Sequence, residues 1–177
     1  MPEHFKQQIN MWQDNIQKVL AKELPETEPR LTFLKVMDAP KVLPLLGSNQ
    51  RPLFINTDKI QRICEKHLNI GVEILQQIPY AITDPIAIFR DREIRHHNRS
   101  IVIMTDIVDN NGATVVVPIT INYRLTALNY GINRIATVFA KLMKMALAVK
   151  IGGSLKRLKK AGCFILTVKK LPFGKDT

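Results

Sequence analysis

His67 is the residue in this chain with the clearest chemical potential, because imidazole is the side chain whose ordinary pKa suits proton transfer near neutral pH. It stands in the run IQRICEKHLNIG, where Ile60, Ile63, Cys64 and His67 recur at helical spacing. On such a stripe a structural core histidine and a general acid or base are both open readings. His96 and His97 are adjacent, so on a strand they point to opposite faces, and Arg92, Arg95 and Arg99 surround them with cations that oppose metal binding. A solvated turn that can touch RNA fits them better. No Gly-rich phosphate loop, Cys-x-x-Cys pair or His-Glu-x-x-His occurs, and acidic residues are scattered singly. Those absences argue against nucleotide motors, zinc sites and two-metal nucleases, so any activity is expected to need neither metal nor cofactor.

The second chemical feature is charge. The 177 residues carry 26 basic and 15 acidic side chains, net +11. Residues 141–177 hold ten of the basic and one of the acidic groups. Lys141, Lys144, Lys150, Lys156, Arg157, Lys159 and Lys160 lie in one stretch, with Lys169 and Lys170 after it. Such clustering is the footprint of a surface that tracks phosphates. A solvated helix face and an anionic membrane surface are the rival explanations. No large aromatic anchors accompany the lysines, which counts against membrane insertion.

These residues need elements to position them. A chain of this length buries enough surface to fold without disulfides or metal, and its 46% hydrophobic and 23% charged residues are ordinary for a globular protein. Cys64 and Cys163 are flanked by apolar residues and read as free thiols. No signal-peptide run opens the chain, and the apolar stretch MALAVKIGGSL is short and broken by lysine, so a cytoplasmic, membrane-free protein is expected. Phe5, Ile9, Trp12, Ile16, Val19 and Leu20 predict an amphipathic N-terminal helix, with Pro25 and Pro29 starting a linker. Asp38 and Pro40 predict a short helix ending at Gly47, Pro52 to Ile55 an extended segment, Asn56 or Thr57 the cap of the His67 helix, and Leu75, Ile78 and Ile82 another.

From Ile86 the period changes to that of strands. Ser100–Val108 and Ala113–Asn122 flank Asp109-Asn110-Asn111-Gly112, a turn built of residues that accept positive φ, and together predict an antiparallel hairpin. Gly131 to Phe139 predicts a further strand, Lys141 to Lys160 a basic helix, and Cys163 to Lys170 a last strand. Helices first and strands afterwards predict an α+β fold with N-terminal helices packed on a small antiparallel sheet. Residues 1–30 are read as helix and linker, and residues 31–177 as the main domain.

The ordered motifs KHLNIGVEILQQIPYAITDPIAIFRDRE, SIVIMTDIVDNNGATVVVPITIN and GINRIATVFAK, with APKVLPLLG upstream, resemble the C-terminal domain of phage MuF-type proteins. That domain is a branch of the barnase, EndoU, colicin and RelE-like nucleases. The resemblance covers about residues 35 to 170. It implies helices on a small antiparallel sheet and a toxin or effector that acts on RNA, with an acidic immunity protein as a possible partner. Matched residue by residue, it points to Lys66, His67, Asn133 and Thr137. The family strand usually carries Ser and then Tyr where this chain has Thr137 and Phe139.

Metal-free RNA cleavage would then use His67 as the base or acid for the 2′-hydroxyl, Arg134, Lys66 or Lys141 as the cation on the transition state, and Thr137 to orient a phosphate oxygen. Lys144, Lys156, Arg157, Lys159 and Lys160, with Lys141, would bind the nucleic acid. A non-catalytic nucleic-acid-binding or virion-packaged module, and a basic face that meets an acidic partner, are the alternatives.

Overall fold

A computed structural model describes residues 2–23, 32–90, 99–125, 130–142 and 164–168. Its elements in chain order are α1 (Glu3–Leu20), β1 (Phe33–Met37), a 3-10 turn (Pro44–Leu46), β2 (Leu53–Asn56), α2 (Thr57–Lys66), α3 (Val72–Thr83), β3 (Ala87–Arg90), β4 (Arg99–Val108), β5 (Thr114–Leu125), β6 (Tyr130–Ile135), β7 (Phe139–Lys141) and β8 (Phe164–Val168). The class is α+β, with the helices N-terminal to most of the sheet.

The strands form one sheet in the order β1-β2-β6-β5-β4-β3-β8, with β7 also paired to β5. All pairings are antiparallel except β2 with β6, which is parallel. The β4–β5 hairpin pairs the expected segments, Ser100 facing Thr120 and Val108 facing Thr114 across the Asp109 turn, with a shift of register between Met104 and Val108. Alternating β-branched residues set this register, since a one-residue slip would turn the apolar set to the other face.

Three expectations change. Residues 33–37 form a strand, and the segment after Asp38 is a turn with a 3-10 piece where an α-helix was expected. Two prolines, Pro40 and Pro44, remove donors from so short a segment and leave it too few bonds for a helix. The strand expected over Gly131–Phe139 is broken between Ile135 and Phe139. Its partner explains the break. Ala136 N–H donates to the Pro118 carbonyl at 2.9 Å, so the side of Pro118 that faces β6 and β7 has an acceptor and no N–H to return. The basic helix expected over Lys141–Lys160 falls outside the described residues beyond Leu142, while Lys141 itself ends β7.

Residues Ile101, Ile103, Val115, Val117, Ile119 and Ile121 point to one face of the sheet, where Trp12, Ile16, Ile60, Ile63, Leu75 and Ile78 of the helices bury them. The Trp12 indole is the anchor of α1. It is 1% exposed, and its Nε1–H donates to the Leu75 carbonyl at 2.9 Å. The other face carries a smaller apolar cluster, Ala87, Met104 and Val116 with Phe89, Val102 and Phe139 beside it, built only from strand residues and Phe139 of β7. Among the described residues no helix is long and apolar enough to cross a membrane.

Replacing Trp12 should loosen α1 from the fold. Trp12→Phe strands the Leu75 carbonyl and is expected to cost about 1–3 kcal/mol, and Trp12→Ala about 3–5 kcal/mol, read by urea unfolding followed by circular dichroism.

Candidate functional site

The α2–α3 connection carries Lys66 and His67, and a single carboxylate ties it to the sheet. Asp109, 5% exposed, accepts at Oδ1 from the Ala113 and Asn111 N–H groups at 2.7 and 2.9 Å. Its Oδ2 accepts from the Asn69 side-chain amide, two residues past His67. Asp109 N–H and the Ala113 carbonyl close the turn, and Gly112 takes φ 71 at its tip. Asn69 foremost, then the backbone donors of Ala113 and Asn111, hold the Asp109 carboxyl below the ordinary carboxylate range.

His67 caps the C-terminus of α2. Its N–H bonds to the Ile63 carbonyl at 2.9 Å and its own carbonyl accepts from Ile70 N–H. The ring is half-buried and makes no hydrogen bond among the described residues, so the buried core histidine read from the stripe is not what forms. Ile60 and Ile63 do enter the core, and Cys64 is a half-buried free thiol, its pKa raised by burial. Lys66 is exposed. Lys141 is exposed too, and pairs with Thr114, the residue after Ala113 of the Asp109 turn. The fold therefore places Lys66 and His67 on the helix side of the sheet end that carries this turn, and Lys141, which shares the face of Phe139, on the opposite side of the same end.

Arg134 and Thr137 lie elsewhere. Thr137 is half-buried in the break between β6 and β7, just past the level at which Ile55 of β2 meets Ile135. That level is the start of α2, and His67 stands at the other end of this ten-residue helix, about 15 Å along its axis. Arg134 pairs with Phe54 and Thr120 and points to the face of the sheet opposite the described helices. Its guanidinium lies 3.9 Å over the Tyr123 ring. No contact among the described residues joins Arg134 or Thr137 to His67. Instead Arg134, Thr137 and Lys141 follow one another along the interrupted β6–β7 strand, whose far end reaches the turn beside His67. Lys144, Lys156, Arg157, Lys159 and Lys160 lie outside the described residues, as do His96 and His97.

Asn133 has a different role from the one suggested by its motif. It is 0% exposed. Its Nδ2 donates to the Arg51 carbonyl at 2.7 Å, and its Oδ1 accepts from Ser48 Oγ at 2.8 Å and Asn122 N–H at 3.1 Å. Asn122 in turn accepts from Asn49 N–H and donates to the Gly47 carbonyl. Every strong bond of the Asn133 amide thus goes to the 47–52 loop and to Asn122. The Arg51 guanidinium lies over Gly131, where a Cβ would come within 1.3 Å of Nη1. Asn133 is a positioning residue, buried where no substrate reaches it.

Sequence reasoning missed Tyr123, Phe54, Asn69 and the part played by Asp109. Among the described residues no group of three or more His, Cys, Asp and Glu could hold a metal ion. A pocket of about 530 Å³ opens between α3 and β4, lined in part by Tyr80, Asp84 and Asp106. Its two carboxylates make it a poor seat for a phosphate backbone, and none of the expected site residues lines it.

A family model described as the phage MuF-C-terminal domain matches residues 57–157, more than half of the chain. No curated protein and no solved structure matches it.

Two stability predictions follow from these bonds. Asn133→Ala leaves Ser48, Asn122 N–H and the Arg51 carbonyl without a partner and is expected to cost about 3 kcal/mol in urea unfolding. Asp109 has a depressed pKa in the folded state, so its contribution is present above the ordinary carboxylate range and is lost as pH falls through the folded value. Asp109→Asn should therefore be less stable at neutral pH and flatter in its acid dependence.

Proposed function

We propose, from the premise that this chain belongs to the phage MuF-C-terminal domain family, that it is a phage-associated effector that cleaves RNA without a metal ion. His67 is the proton-transfer group, Lys66 is the cation next to it in the chain, and Lys141 is a further cation at the same end of the sheet. The observation that supports this reading is the Asn69–Asp109 bond, which fixes the Lys66–His67 segment at the turn next to which β7 ends in Lys141, with neither lysine in an ion pair among the described residues. The expected nuclease kinship with barnase-, EndoU-, colicin- and RelE-like enzymes belongs to the same proposal.

The chemistry uses the substrate's own nucleophile. His67 takes the proton of a 2′-hydroxyl, its oxygen attacks the adjacent phosphorus, the bond to the 5′-oxygen breaks, and a 2′,3′-cyclic phosphate remains. The departing 5′-oxygen takes a proton from water. Charge grows on the phosphoryl oxygens in the transition state, and an ammonium group fixed there is worth about 3 kcal/mol. Thr137 and Arg134 are too far along the strand to act on the same phosphorus, so in this proposal they hold the neighbouring part of the RNA. DNA lacks the 2′-hydroxyl and would be bound without being cut.

Lys144, Lys156, Arg157, Lys159 and Lys160, outside the described residues, are counted in this proposal among the phosphate-binding cations, for which an acidic immunity protein would compete. A second reading, a nucleic-acid-binding module with no turnover, is favoured by one observation: no carboxylate or carbonyl orients the His67 ring among the described residues.

One assay separates the two. His67→Ala should lower cleavage of an oligoribonucleotide in EDTA by about a hundred- to ten-thousand-fold, with binding barely altered because proton transfer acts in the transition state. An unaltered protein that binds RNA with a steep salt dependence and never cuts it would establish the second reading. Cleavage that disappears in EDTA would contradict the metal-free route.

A further inference from the structure

The face of the sheet opposite the described helices holds an arrangement that the cleavage chemistry does not use. Strand β5 changes register against β6 between Thr120 and Tyr123. The extra residue is accommodated at Asn122, which adopts φ 54. Ordinary alternation would place residues 120 and 123 on opposite faces. The bulge resets it, so Tyr123, paired with Ile132, shares the face of Arg134, paired with Thr120. Only then can the Arg134 guanidinium lie on the Tyr123 ring at 3.9 Å.

The pair is held in a state that suits one kind of ligand. Arg134 Nε is enclosed and has no hydrogen-bond partner among the described residues, so the side-on fork that arginine offers to a phosphate is closed. What remains is the outer plane of the guanidinium and its terminal amines. Tyr123 backs one side of that plane, and a guanidinium plane is a surface on which nucleobases stack. Phe54 lies beside it on β2, while Thr120 and Ser100 continue the same row across β5 and β4. This row has an aromatic ring, a cation and two hydroxyls, that of Thr120 buried, and beyond Phe54 it continues to Lys35, whose ammonium pairs with Asp38. On a chain of net charge +11 it complements an anionic strand.

We propose that the Tyr123–Arg134 pair is the platform on which an unpaired base of single-stranded RNA stacks, with Phe54 flanking it. The substrate class follows: a duplex keeps its bases stacked on each other and has none to offer. The inference rests on the RNA reading above, and it does not depend on cleavage. From this platform the strand is led past Thr137 to Lys141, which places a phosphate some nucleotides away at the His67 end.

The test is done on the full chain carrying His67→Ala, so that the probe survives, using a labelled single-stranded oligoribonucleotide and the matching duplex. Tyr123→Leu and Arg134→Lys, the latter keeping the charge and losing the plane, should each weaken single-strand binding about ten-fold, with duplex binding unchanged. Tyr123→Phe keeps the ring and should bind as the parent does, which shows that the position tolerates replacement. Unchanged single-strand affinity in the Leu and Lys variants, with circular dichroism unaltered, would overturn the platform. So would an equal loss for strand and duplex. Failure of the cleavage reading shows up separately, as an unaltered protein that binds and never cuts.

Discussion

The side-chain amide of Asn133 is the interaction on which the arrangement of this molecule depends. A fully buried amide must satisfy its donors and acceptors within the protein, since each one left without a partner costs about 1–3 kcal/mol. Asn133 does so by reaching two separate segments, the 47–52 loop and the backbone of Asn122. Asn122 then sits in the left-handed region, which asparagine tolerates better than most residues. The bulge that results decides which face receives Tyr123. A local polar contact in the sheet thereby determines the chemistry of a surface that it does not itself reach.

A second constraint acts through an absence. Pro118 has no N–H to offer β6 and β7, and the strand yields opposite it, at Ala136–Val138. Val138 still packs into the core, so the break is a controlled detour in a strand that resumes at Phe139. Thr137 stands half-buried in that detour. Together the bulge in β5 and the break after β6 convert a plain hairpin sheet into one that carries Tyr123, Arg134, Thr137 and Lys141 along a single line. The Asn69–Asp109 bond brings the end of α2 to the end of that line.

Much of the framework was legible because it rests on local chemistry. The apolar spacing of Phe5 to Leu20 marks α1, and the runs on either side of Asp109-Asn110-Asn111-Gly112 mark the hairpin, since few pairings other than the observed one bury their Ile and Val together. The strand at Phe33–Met37 was hidden by its length and by Lys35, and two prolines after it resembled a helix start. The parallel pairing of β2 with β6 joins segments with no local signal between them. For the site, the types of Lys66, His67, Arg134, Thr137 and Lys141 drew attention, but their distribution over two faces depends on registers set by Asn122 and Pro118. An asparagine in mid-strand directly before Tyr-Arg was the one available hint of the bulge. The resemblance singled out Asn133 without a role, because buried amides and site amides look alike in a sequence; only the bonds tell them apart.

The central claim is that RNA follows the β6–β7 line, with a base on Arg134 and a phosphate at the His67 end. The measurement that tests it most directly is a crystal structure of the full chain with a 2′-O-methyl oligoribonucleotide, in which the nucleophile is capped and the strand stays intact. The account predicts a base stacked on the Arg134 guanidinium, the backbone passing Thr137 and Lys141, and a 2′-oxygen beside the His67 ring. RNA lying on the helical layer or over the Asp84–Asp106 pocket, with Tyr123 and Arg134 uncovered, would contradict it.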